Sequence, residues 1–265
     1  LLLTPLLAVA IRMGAGAERG ARLASGAVMI GFLFSWVVVV KAPWMPVGDV
    51  ARIGHIAFGA TVLGLALDLM APKRWLAALF AGGVVLVSAW GSVTGRMAVF
   101  VPSLSDGALV LVLAAVAFLI LARLDAVRTR GVTPLVLLTV AALGVSAMAV
   151  LAGEARIASG ALVLALAVAG FAGLRAFVAL PVGDTLMLGG GVTLLALAWA
   201  LGQGMPQTRL ALLLIPLVFF AESTAQRVPL PKARISTILY PLVLTGVAAL
   251  PCALAILVTY VTMRG

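Results

Sequence analysis

Long, unbroken runs of leucine, alanine and valine with almost no charge inside them most narrow what this chain can become. A soluble domain carries about 25% charged residues, whereas here only 10% of 265 residues are charged and 64% are hydrophobic. No single core could keep that much apolar surface from water. Inside a bilayer each spanning element must satisfy its own backbone polar groups, which leaves helices or closed barrels. The runs lack the in-out alternation of a lipid-facing strand. The sequence therefore predicts an all-α, polytopic transmembrane helix bundle, one integral membrane domain over residues 1–265.

With roughly 20 residues as the length of a spanning helix, about ten spans are expected. They are Leu1–Met13, Leu23–Val40, Ile53–Leu69, Leu76–Trp90, Leu109–Leu121, Val132–Leu151, Ile157–Leu174, Leu186–Leu201, Leu210–Phe220 and Ile238–Met263. Several are short for a bilayer, and the fifth and ninth fit least well. Glycine and proline mark the connections, as in Ala42-Pro43-Trp44-Met45-Pro46, Ala71-Pro72, Gly131 and Gly202-Gln203-Gly204. Short cytoplasmic loops carry the excess of Lys and Arg. Odd-numbered connections hold 12 of the 18 basic residues and even-numbered ones with the C-terminus hold 6, so both termini are expected on the outer side. Trp44, Trp90, Trp199 and Tyr260 fall near outer ends and Trp75 and Tyr240 near inner ones, as interfacial aromatics do.

The net charge of +10 does not indicate a nucleic-acid partner, because the basic residues are scattered through short loops and never form a basic arm with interleaved aromatics. Topology and anionic membrane lipid account for them. The lone cysteine, Cys252, lies in the last apolar run, which excludes an intramolecular disulfide and a Cys-based metal site. The chain opens on Leu1 with neither a methionine nor a signal-peptide cleavage pattern, so a trimmed or incomplete N-terminus is expected.

Acidic residues are scarce, which makes their positions informative. Glu18, Asp68, Asp125, Asp184 and Glu222 fall on the expected inner side, against Asp49, Asp106 and Glu154 outside. Asp68, Asp125 and Asp184 each sit at the inner end of a span, where convergence gives an oxygen-rich site suited to Mg²⁺ and a phosphorylated ligand. The plainer reading is that each solvates a helix end or pairs with a nearby arginine. His55, the only histidine, lies near the outer end of its span and is expected to pack or to bond backbone.

The local sequences around these acids add a resemblance. Gly64-Leu65-Ala66-Leu67-Asp68-Leu69, followed by Pro72-Lys73, resembles the G-L-x-D-D-L helix end of the polyprenyl-phosphate N-acetylhexosamine-1-phosphate transferases. These are glycosyltransferases of family 4, relatives of the enzymes that start peptidoglycan lipid and O-antigen synthesis. The stretch Val116-Ala117-Phe118-Leu119-Ile120-Leu121-Ala122-Arg123-Leu124-Asp125-Ala126-Val127 has the frame of the family's N-A-F-N-L-x-D-G-x-D-G-L motif. Pro181-Val182-Gly183-Asp184-Thr185, with Leu188 to Gly191, is similar to its F-M-G-D-T-G-S-x-x-L-G segment. Thr4-Pro5-Leu6 and Ile215-Pro216-Leu217 fall where the family has T-P-L and P-L-x-D. The resemblance covers almost the whole chain and implies ten spans, outward termini and a site on the cytoplasmic face of a bacterial inner membrane. It also implies roles: Asp68 and Asp125 as catalytic carboxylates, Asp184 as the metal ligand, and Lys73, Arg123 and Arg227 as phosphate-binding groups.

Members of that family move a sugar-1-phosphate from a UDP-sugar onto a polyprenyl phosphate, with Mg²⁺ screening the diphosphate. Much of that machinery is absent here. Leu67 replaces the first acid of the paired motif, Val116 and Leu119 replace two asparagines, and Ala122 replaces an aspartate. Leu186-Met187 stand for Gly-Ser, and Phe219 for the aspartate after Pro-Leu-x. Between the ninth and tenth spans, Arg227-Val228-Pro229-Leu230-Pro231-Lys232-Ala233-Arg234 contains none of the family's histidines, and the first basic loop is shortened to Gly14–Ser25. The expectation is a degenerate homologue, a pseudoenzyme of the cell envelope, serving as a structural, regulatory or lipid-binding subunit beside other membrane proteins, without a cofactor. The alternative is an active, divergent transferase with Mg²⁺ among the three aspartates. An unrelated transporter is a third reading, but no internal repeat is visible and the ionisable residues lie mostly at span ends.

Overall fold

Leu- and Ala-rich runs close their backbone hydrogen bonds within the segment, and the computed structural model of the chain, which describes residues 2–41, 49–94, 104–228 and 235–264, is built of them. The elements are α1 (Leu3–Gly14), α2 (Ala17–Leu23), α3 (Gly26–Ser35, widening into a π-turn at Trp36–Val40), α4 (Asp49–Met70), α5 (Arg74–Thr94) and α6 (Leu104–Val127). They continue with α7 (Thr133–Leu151), α8 (Ala155–Phe177), α9 (Asp184–Gly204), α10 (Arg209–Leu212), α11 (Ala221–Ala225) and α12 (Ile235–Arg264). Among the described residues there is no strand. The Ala42–Pro46 turn with Trp44, and Arg96, Lys232 and Arg234, lie outside the described residues.

Eight segments are long and apolar enough to cross a membrane, and Leu3–Gly14 and Gly26–Val40 are shorter apolar helices. Every apolar run expected from the sequence falls on one of these ten. Two differ in form from their expectation. The fifth extends well past Leu109–Leu121 to fill the whole of α6, because Leu124 and Val127 beyond the charged residues are buried and carry the helix onward. The ninth, Pro206–Ala225, is a broken segment of 3₁₀ turns at Pro206–Thr208 and Ile215–Phe220 alternating with α10 and α11. Pro206 and Pro216 supply no backbone N–H, so neither can continue an α ladder.

The centre of the bundle is α9, 83% of whose span is buried, against 17% for α5 at the edge. Its burial follows from Gly189-Gly190-Gly191. Successive helix positions are turned by about 100°, so the three glycines face three neighbours. A Cβ on Gly189 would lie 2.8 Å from Met29 of α3, one on Gly190 2.7 Å from Leu138 of α7, and one on Gly191 2.7 Å from Leu121 of α6. Each large side chain enters a hole left by a missing one. Trp36 is seated the same way, between Gly54 of α4 and Gly160 of α8, and Cys252 of α12 lies over Gly144 of α7 with its thiol 3.5 Å from the Val140 carbonyl.

A few contacts show which helix ends share a side. Ser25, Asp68, Arg128 and the start of α9 meet at one end, and Arg130 meets Glu222 there. At the opposite end Trp199 Nε1 donates to the Ser92 carbonyl and Arg209 Nε to that of Gly202. His55 Nδ1 lies 3.0 Å from the Ala51 carbonyl one turn before it, which is the backbone-bonded role expected of it.

Two backbones come close at Gly64, where a Cβ would lie 2.5 Å from Thr185 Cα. A main chain cannot swing aside as a flexible side chain can. Gly64→Val is expected to lower stability by about 2 to 3 kcal/mol, read as a fall in unfolding temperature in detergent. Gly82→Ala on α5, with nothing within 4 Å of the added methyl, should be neutral or stabilising by up to about 1 kcal/mol.

Candidate functional site

The start of α9 lacks a capping side chain of its own. Its first residues follow Gly183, whose extended backbone (φ −87, ψ 170) offers only a hydrogen where Ser, Thr or Asp would normally turn back. The cap comes from another helix. Asp68, near the last turn of α4, accepts from the Asp184 N–H at 2.7 Å, the Thr185 N–H at 2.9 Å and the Thr185 hydroxyl at 2.5 Å. Ser25, just before α3, accepts from the Gly183 N–H at 2.9 Å. Gly183 has to be glycine, since a Cβ there would lie 2.5 Å from both the Asp68 carboxylate and the Ser25 hydroxyl. A carboxylate at a helix N-terminus also meets the positive end of the helix dipole.

Around this cap the three aspartates singled out in the sequence do come together, and the group at their centre is Arg128. Its Nη1 donates to Asp184 at 2.6 Å and its Nε to the Val182 carbonyl at 2.6 Å. Asp68 and Asp125 each lie 3.9 Å from the same guanidinium. Asp68 is buried and Asp184 partly so, but the Asp125 side chain is 68% exposed and touches Arg128 only as an i, i+3 neighbour.

A second cluster lies on the same end. Glu222 is 1% exposed and accepts from Arg130 and, at 2.7 Å, from Gln226 Nε2. Arg123 Nη2 lies 3.6 Å from its other oxygen, the Arg123 Nε donates to the Phe219 carbonyl, and its guanidinium stacks 5.3 Å from the Phe220 ring centre. Arg128 and Arg130, two residues apart at the turn between α6 and α7, thus enter different clusters. That turn ties the start of α9 to the broken segment.

The residues expected to bind phosphate divide accordingly. Arg123 is engaged by Glu222 and Phe220, whereas Lys73, in the turn between α4 and α5, and Arg227, just beyond α11 and next to Gln226, are exposed. Ser25, Arg128, Arg130 and Glu222 were given no role by the sequence. Arg128 had a local signal in its i, i+3 spacing from Asp125, and Glu222 in being one of few inner acids.

The donor set does not fit a Mg²⁺ centre. Such an ion requires several free oxygens at about 2.1 Å, but both Asp68 oxygens are engaged by three donors and Asp184 by an arginine. Among the described residues no group of three His, Cys, Asp or Glu side chains is placed to hold a metal. Compared with models of known families, with curated proteins and with solved structures, the chain matches none.

Removing Asp68 strips the α9 cap of its acceptors and leaves Arg128 short of a buried partner. Asp68→Ala is expected to cost about 3 kcal/mol, and Glu222→Gln, which leaves two arginines facing a neutral amide, about 3 to 5 kcal/mol. Asp125→Ala should stay within about 0.5 kcal/mol. Unfolding in detergent of the three variants side by side checks the order; an Asp125 effect equal to that of Asp68 would contradict this account of the site.

Proposed function

We propose that the chain is a catalytically degenerate member of the transferase family its motifs resemble, a structural, regulatory or lipid-binding subunit of a membrane complex. The observation that carries this reading is the use made of the motif acids. The Asp68 carboxylate serves as a helix cap and Asp184 as the partner of Arg128, so the atoms that would screen and position phosphate in an active enzyme are spent on holding helices together. A shared outline would not by itself imply a shared reaction. Polyprenyl phosphate or another membrane lipid is the ligand class such a scaffold would keep, since admitting a prenyl chain needs apolar surface more than acids.

The eight long helices and two shorter ones support ten crossings, with both termini outside and the charged end facing the cytoplasm of a bacterial inner membrane. The distribution of Lys and Arg gives that orientation. The alternative, an active divergent Mg²⁺-dependent transferase, is favoured by one feature, the exposed Asp125 carboxylate beside Arg128. An assay with UDP-sugars, undecaprenyl phosphate and Mg²⁺ separates the two. The expected result is no release of UMP above background, with no change on Asp184→Asn, and a stoichiometric partner retained on purification in mild detergent. Turnover abolished by Asp184→Asn would establish the alternative, and recovery of a lone monomer would count against the subunit role.

A further inference from the structure

Four oxygen atoms surround the Arg128 guanidinium, from three helices and the loop before α9. Asp184 Oδ1 accepts from Nη1 at 2.6 Å and the Val182 carbonyl from Nε at 2.6 Å. Asp68 Oδ1 of α4 lies 3.9 Å from Nη2, and Asp125 Oδ1 of α6 lies 3.9 Å from Nη1. Three carboxylates and a backbone carbonyl are the hard oxygen donors that divalent cations such as Mg²⁺, Mn²⁺ and Ca²⁺ take. Among the described residues the cation they share is an arginine.

Carboxylates this close to one another repel, so the cluster needs a positive charge. The α9 N-terminus offsets Asp68 alone. Arg123 and Arg130 turn to Glu222, and among the described residues no cation but Arg128 forms an ion pair with Asp68, Asp125 or Asp184. A carboxylate oxygen has two lone pairs. Asp68 Oδ1 accepts one hydrogen bond, from the Asp184 N–H, and keeps a lone pair for the guanidinium. The Asp184 carboxylate and the Val182 carbonyl accept from Arg128 itself. Without the arginine, each of the four oxygens has a lone pair free toward the space it leaves. The guanidinium, more than the acids, keeps this donor set from suiting a metal.

We propose that Arg128 is the resident cation of this cluster: its guanidinium fills the place among the four oxygens that a divalent ion otherwise takes, and it holds α4, α6 and the start of α9 together without metal. An arginine stays charged at physiological pH and is tethered to the chain, so the junction is independent of ion concentration. It offers no open coordination position and no bound water of lowered pKa. It therefore screens the acids without presenting a Lewis acid to a phosphate. The inference rests on the charges of this end and not on membership of the transferase family, and metal binding is read separately from turnover.

Mn²⁺ binding to the full chain in nonionic detergent, followed by electron paramagnetic resonance, tests it beside thermal unfolding in Mn²⁺ or EDTA at matched ionic strength. The wild type should bind Mn²⁺ only weakly and unfold at the same temperature in both. Arg128→Ala, prepared with Mn²⁺ present throughout, should bind the ion about tenfold or more tightly than the wild type and unfold about 5 °C higher with it than in EDTA. Arg128→Lys, which keeps the charge, should gain little. Adding Asp184→Asn to Arg128→Ala should abolish both effects, and Gly64→Val, which disturbs the same junction with Arg128 in place, should gain nothing from Mn²⁺. Binding by the wild type as tight as by Arg128→Ala overturns the proposal. So does an Arg128→Ala chain that gains nothing from Mn²⁺, including one that fails to fold with the ion present, and so does a gain that survives Asp184→Asn.

Discussion

A helix begins with backbone N–H groups that no residue of its own can accept from, and in a bundle set in a bilayer water is poorly placed to take them. The helix with the greatest need here is α9, since it is the most enclosed and its N-cap is a glycine. The Asp68 carboxylate answers that need, and much else depends on it. It fixes the end of α4 against the start of α9, a junction tightened by the Gly64 contact. It leaves a buried negative charge that draws in Arg128, and with Arg128 comes the turn that joins α6 to α7. Through Arg130 the same turn reaches Glu222 and holds the end of the broken segment. One cap therefore orders the charged ends of four long helices.

This hierarchy explains why two features of the fold could not be read from hydropathy. The sequence placed the end of the fifth span at Leu121, because Arg123 and Asp125 lower any apolar average. The helix continues because Leu124 and Val127 still face the core and because the arginines beyond Leu121 find acids on other helices. The ninth span looked short for the opposite reason: its composition is apolar enough, but two prolines divide its backbone into pieces. The positions of the apolar runs were legible, since eight of them fall on helices long and apolar enough to cross a membrane and two on shorter apolar helices.

At the charged end, the sequence was informative about which acids would gather and silent on what would gather them. Asp68, Asp125 and Asp184 each close or open a span on the same side, and geometry follows from that. Whether they meet a metal or an arginine depends on side chains hundreds of atoms apart along the chain. Gly183-Asp184-Thr185 illustrates the ambiguity. Glycine followed by two polar residues at the start of a helix suits a site that presents backbone N–H groups to a phosphate, and it suits equally a site that presents them to a neighbouring carboxylate. Leu67, the residue beside Asp68, is buried and belongs with the second use, since a single carboxylate can cap the helix while its neighbour packs.

Charge is sorted by depth across this end, and the sorting bears on what the surface can do. Among the described residues the ion pairs of this end gather on the buried or half-buried acids Asp68, Asp184 and Glu222, where low polarity makes an unpaired charge costly. The exposed Asp125 is an outer neighbour, and most of the other cations are exposed, where water and salt screen them. An enzyme that handles phosphate has the reverse need, with cations at its centre left open to the substrate. Here Arg128 and Arg123, the cations best placed to meet a ligand between the helices, are the ones already engaged. The charged groups of the interior are thereby left to hold the helices in register.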